Sequence, residues 1–189
     1  MATAGDALGT GLVSNLAHPG GNVTGLSLAL IELAGKTVEV LHEALPRTKQ
    51  IACIVNTKDR LHRGFLSEVE TAAGRLGLQF RPVLLESAAE LDAAFRSLVR
   101  GGVGAAIVQP IFAVDPQDRA KLVQLTLTHR LPVISGWRAY AESGGLIAYA
   151  SEFRDLPRRA ASYVVKIPRA PSRATSRSNN PPSSIWSST

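Results

Sequence analysis

Residues 131–151 read LPVISGWRAYAESGGLIAYAS. The apolar run from Leu131 to Ser135 predicts a short strand that leads into Gly136, Trp137 and Arg138. A brief helical turn follows, then Gly144-Gly145, then a second apolar strand ending at Tyr149. In open α/β sheets ligands sit beyond the carboxyl ends of the strands, so a ring and a cation just past such an end are placed to form a pocket floor. The pair also has an ordinary reading, in which Trp137 packs a helix onto the sheet and Arg138 faces water. Which of the two holds depends on what surrounds the strand pair.

Toward the amino end the same alternation recurs. Residues 105–108 make an apolar strand that ends in Gln109-Pro110. Asp115 then caps a helix with Pro116 at its first position, and Ala120, Val123 and Leu127 are expected on its inward face. Upstream, residues 80–85 form a strand, and Ser87-Ala-Ala-Glu90 has the form of a capping box. The helix it opens buries Leu91, Phe95 and Leu98 and stops at Gly101-Gly102. Ile51 to Val55 is a continuous apolar run, as expected for a strand covered on both faces of a parallel sheet. It ends in Asn56. Helices on either side of it carry Ala34, Val38, Leu41 and Leu45, and Phe65, Val69, Ala72 and Leu76, at helical spacing; Pro46 and Gly77 close them. Residues 1–6 resemble the tail of a strand and its loop, 8–18 a helix stopped by Pro19-Gly20-Gly21, and 22–27 a short strand or crossover. A last amphipathic helix is expected over 156–166.

Strands alternating with helices through short connections predict a doubly wound, Rossmann-like parallel α/β sheet. Right-handed crossovers place all the strand carboxyl ends on one edge. That edge collects Asn56, Glu86, Gln109, Trp137, Arg138 and Tyr149, a polar and aromatic set suited to a small polar or aromatic ligand.

Composition narrows the function. With 189 residues the chain holds one sizeable domain and at most a small second one. Its longest apolar runs fall short of the roughly 20 residues of a membrane helix, and no signal peptide opens it. The formal charge is +6, but Arg169, Arg173 and Arg177 lie in an acid-free tail of 22 residues, and without them +3 remains. No basic stripe with interleaved aromatics appears, so nucleic acid is not an expected partner. Cys53 is the only cysteine and sits in an apolar run, which excludes an internal disulfide. His18, His42, His62 and His129 fall at no metal-ligand spacing, and no cofactor is expected. The chain has no HExxH, GxSxG or Gly-rich Lys-Ser/Thr loop. Gly9-x-Gly11-x-x-Ser14 lacks a third glycine, and Asn56-Thr-Lys-Asp-Arg60 is a poor phosphate loop. Asp115 and Asp118 suit helix capping. Nucleophile and base are both missing, so an enzyme is not expected.

Three segments, GDALGTGLVSNLAHPGGNVTGLS, IACIVN and LPVISGWRAYAESGGLIAYA, together resemble the type I, periplasmic-binding-protein-like components of ABC importers, in the group that includes aromatic-amino-acid binders. The resemblance runs from Ala2 to Ile167. It implies a non-catalytic protein that closes two α/β lobes on a small-molecule ligand and delivers it to a membrane permease. Residues 1–29 would be a remnant of the first lobe with a crossover, and 30–150 the second lobe. Residues 151–167 would be a carboxyl-terminal helix; the Pro-, Ser- and Arg-rich composition of 168–189 predicts a disordered tail. By position, Thr3 and Asp6 match the loop after a first-lobe strand. Asn56, Gln109, Trp137 and Tyr149 match second-lobe strand ends, although the family varies at Trp137. Asn56 and Gln109 would hydrogen-bond the ligand, and Trp137 or Tyr149 would stack on it. One lobe alone should bind weakly or not at all. Intact relatives are periplasmic; without an export signal this chain is expected to stay where it is made.

The resemblance also implies a continuation like LPVEQPTKFDLVIN after Ile167, where this chain has PRAPSRATSRSNNPPSSIWSST. Back-translated with a suitable choice of GC-rich codons and read one base out of register, the tail can spell a stretch of that kind. A one-base loss near codon 168 is the expected origin, and a natural flexible tail is the alternative. Two other function classes share the fold: an effector-sensing regulator, which needs a helix-turn-helix, and a flavodoxin-like enzyme, which needs a phosphate loop.

Overall fold

The structure is a computed structural model and describes residues 3–15, 26–28 and 30–150. It divides into two compact units, Met1–Ala29 with Ser151–Thr189, and Leu30–Ala150. In the first unit β1 (Thr3–Ala4) pairs in parallel with β2 (Leu26–Ser27), Thr3 opposite Leu26. Of the strand tail and loop expected over residues 1–6, Thr3–Ala4 is strand and residues 5–6 are loop, while residues 1–2 lie outside the described residues; the helix expected from residue 8 is not present. Residues 7–11 form turns instead, followed by a bend at Leu12. The Asp6 carboxylate accepts from the Leu8 and Gly9 amides at 3.1 and 3.0 Å, which draws the chain into a tight local loop. The Leu12 and Val13 amides both return to the Ala7 carbonyl, and Gly11 takes a left-handed φ of 71°. Two glycines and a competing carboxylate outweigh the weak apolar spacing. Residues 16–18 of that expected helix, and the helix expected over 156–166, lie outside the described residues.

The second unit holds α1 (Leu30–Ala44), β3 (Gln50–Asn56), α2 (His62–Arg75), β4 (Gln79–Leu85) and α3 (Leu91–Arg100). It continues with β5 (Ala105–Val108), α4 (Ile111–Val114), α5 (Pro116–His129), β6 (Val133–Ser135), α6 (Arg138–Glu142) and β7 (Ile147–Ala148). The five strands run parallel in the order β4-β3-β5-β6-β7. This is the doubly wound α/β sheet read from the sequence.

Strand alternation builds two cores from one sheet. Ile51, Cys53 and Val55 face one way, onto Val38 and Leu41 of α1 and Phe65 and Val69 of α2. Ala52 and Ile54 face the other, onto Phe95 and Leu98 of α3 and Leu122 of α5. A strand covered on both sides has no solvent face, which is why β3 reads as unbroken apolar sequence. β4 is an edge strand and tolerates Pro82, which has no amide to give a ladder. Burial without a partner charge pushes the Cys53 thiol far above its ordinary pKa, so it remains a small neutral core group.

Helix ends follow the local chemistry. Asp115 Oδ1 accepts from the Gln117 and Asp118 amides at 2.8 and 3.1 Å, with Pro116 next to it. Glu90 Oε1 accepts from the Glu86 and Ser87 amides at 2.9 and 3.0 Å, the glutamate half of the capping box. Gly77 and Gly102 both stand at positive φ just beyond their helices. The inward face of α5 differs from expectation. Leu122, Val123, Leu125 and Thr126 are buried, whereas Ala120 is exposed and Leu127 is 66% exposed. Thr126 bonds the Leu122 carbonyl at 2.9 Å and meets the buried Tyr140 hydroxyl at 3.2 Å. A threonine that satisfies its own hydroxyl can join a core, and this one turns the helix face away from Leu127.

Candidate functional site

Because the five strands are parallel, their carboxyl ends share one edge. Asn56 ends β3, Glu86 follows β4, Gln109 follows β5, Trp137 lies just beyond β6, and Tyr149 follows β7. From β3 the chain crosses to β4 on one side, and later strands extend on the other side through β5. The order therefore reverses between β3 and β5, the position at which open α/β sheets generally take their ligands. Asn56 and Gln109 flank that point.

The two are joined. Gln109 is buried, and its Oε1 accepts from the Asn56 amide at 2.8 Å while its Nε2 donates to Asp59 Oδ2 at 2.7 Å. Its own amide donates to the Ile54 carbonyl at 2.9 Å. The loop beyond Asn56 closes on itself. Asn56 Oδ1 accepts from the Lys58 amide at 2.9 Å, and Asp59 Oδ1 from the Leu61 amide at 3.0 Å. His62 Nδ1 lies 2.6 Å from the Asp59 carbonyl, which can only accept, so that ring nitrogen carries the proton. Thr57 ties the loop to β4, its amide donating to the Leu85 carbonyl at 2.8 Å.

The two rings are not one wall. Trp137 is half-buried against the core under α3 and α5, and Tyr149 packs against the core under α1 and α2. They share an edge but stand on opposite faces of the sheet. Arg138 begins α6 and pairs with Glu142 at 2.9 Å on an exposed surface. Lys58 and Glu86 pair at 3.2 Å across the mouth of the edge, both well exposed. Pairs of this exposure add little to stability. Thr3 and Asp6 lie in the other unit, Thr3 in β1 and Asp6 with its carboxylate turned onto its own loop amides.

Two polar groups at the edge escaped the sequence reading. Asp59 is the acceptor that completes the Gln109 bridge; an Asn-x-x-Asp step between a buried strand and a helix was the available signal. Ser135, at the end of β6, is fully buried and its Oγ has no hydrogen-bond partner among the described residues. Those residues also contain no group of three His, Cys, Asp or Glu able to hold a metal.

The sequence model of the family described as ABC transporter substrate binding protein matches residues 1–172. This chain belongs to that family. A tyrosine-binding protein from Clostridioides difficile is 23% identical over 167 residues, which are 88% of this chain and 47% of that protein. Among solved structures, a Streptococcus pneumonia ABC domain in complex with L-Trp superposes with a TM-score of 0.77 at 24% identity. That match covers 90% of this chain and 58% of the other. A ligand-free, open substrate-binding protein with adhesive properties from Clostridium difficile gives a TM-score of 0.64 at 23% identity, over 90% of this chain and 57% of that one. The chain thus spans about half the length of the relatives it matches. The periplasmic-binding-protein-like fold of these relatives is the one found here.

Proposed function

We propose that the chain is part of a solute receptor of an ABC importer, and that its sheet edge takes one side of an amino acid with an aromatic side chain. The observation that carries this reading is the edge itself, with Asn56 held at the topological switch point of a family-typical sheet. Its amide side chain suits the polar end of such a ligand, and the exposed cations Lys58, Arg60 and Arg63 around the start of α2 favour a carboxylate. The half-buried ring of Trp137 offers a flat apolar surface for a side chain. Members of the family that bind tyrosine and L-Trp support the ligand class. Delivery to a membrane permease, and a second lobe that completes the grip, belong to the same proposal.

A grip from one lobe leaves much of the ligand in water, so a Kd of ~1 mM is expected, equivalent to about 4 kcal/mol. The test is an NMR titration of this chain with L-tryptophan and L-tyrosine, with glucose as control. Amides from Asn56 to Asp59 and around Trp137 should shift with either amino acid and not with glucose. Shifts scattered over the surface, or an equal response to glucose, would overturn the reading.

A further inference from the structure

The buried carboxamide of Gln109 reaches in two chemical directions at once. Its oxygen takes the Asn56 amide at 2.8 Å, and its nitrogen gives a proton to the Asp59 carboxylate at 2.7 Å. A third tie, from its backbone amide to the Ile54 carbonyl at 2.9 Å, fixes the start of the side chain beside β3. Asp59 passes the constraint onward: its other oxygen holds the Leu61 amide at 3.0 Å, and its carbonyl holds both the amide and the ring of His62. One side chain thus anchors the whole connection from β3 to α2. At 2% exposure it has almost no surface to offer a ligand directly.

We infer that Gln109 is a positioning residue rather than a ligand contact: through Asp59 it holds the loop of residues 56–62 in its binding shape. This rests on the proposal that the same edge receives the ligand. The chemistry is directional. Gln109→Glu keeps the size and the acceptor but sets carboxylate against carboxylate. Asp59→Asn sets donor against donor. The two changes together restore every bond, with the bridge between the two side chains reversed in direction. One oxygen of the introduced glutamate still takes the Asn56 amide. Its other oxygen accepts from the side-chain amide of the introduced asparagine, whose own oxygen still takes the Leu61 amide. Net charge is unchanged by the swap.

The experiment compares amide exchange and L-tryptophan titration in the full chain and in Gln109→Glu, Asp59→Asn and the double variant. Each single change should speed exchange at Asn56 and Leu61 by about 10- to 100-fold, the value of a charge-assisted hydrogen bond. The same variants should weaken the tryptophan response at the loop by about 10-fold, and the double variant should recover both to within about 3-fold. Ile107 and Ile134, in the strands behind, should keep their protection throughout. Single variants without a local effect, or a double variant no better than the singles, would overturn the inference. Exchange that follows this pattern while tryptophan shifts nothing in the parent chain would retain the clamp and refute the ligand class.

Discussion

At Gly145 an added Cβ would stand 2.4 Å from two atoms of the Tyr140 ring, closer than any real contact. Its φ is not in the left-handed region, so the demand is for space alone. Gly144, one residue earlier, has φ of 98° and is a glycine for conformational reasons. Tyr140 is fully buried, and burial raises its phenol above the ordinary value. The ring therefore has nowhere to retreat. Gly145→Ala should cost about 1–3 kcal/mol by overpacking, read as a lower urea midpoint with an unchanged slope. Gly74 in α2 is the contrast, with no atom within 4 Å of a built Cβ. Gly74→Ala should raise stability by up to about 1 kcal/mol through helix propensity. An undisturbed Gly145→Ala variant would mean that the ring can move. In the sequence the glycine pair reads only as a turn; that one of the two makes room for a ring is visible only once Tyr140 is in place. Asn56 and Gln109 were both legible as strand-end residues. Their bond to each other was not, because 53 residues separate them and no local pattern links them.

At the scale of the element, α5 separates what periodicity can and cannot tell. Its start was fixed by Asp115 and Pro116, whose roles depend only on neighbouring amides. Its inward face was not, because apolar residues are spread around it and a buried threonine carries part of the contact. Leu122→Ala should cost about 2–5 kcal/mol, since it empties a site closed on all sides. Leu127→Ala should stay within about 0.5 kcal/mol, since its side chain is largely in water. Thermal or urea melts of the two variants check both. Equal costs would place Leu127 inward and reverse the orientation of the helix. By contrast α1, α2 and α3 bury most of the residues their spacing marks, such as Val38, Val69 and Phe95, while Leu45 and Leu76, just past the ends of α1 and α2, are half-buried. Those stripes are clean, so any sheet they meet would select the same face.

At the scale of the second unit, one sheet divides two apolar layers, and its inner strands take part in both. Amides of Ile51 to Val55 and Ala105 to Val108 should therefore exchange only through global unfolding, while β4 and β7 at the rims exchange faster through local opening. Uniform protection across all five strands would contradict this. The sequence alone determined the alternation of strand and helix, the parallel sheet, the cap residues and the gathering of strand ends on one edge. Each of these follows from interactions between near neighbours or from the handedness of crossovers. Only the tertiary structure decided the strand order, the placement of Trp137 and Tyr149 on opposite faces, and the Gln109–Asp59 bridge. Those depend on which distant segments meet, and a buried polar group finds its partner across space rather than along the chain.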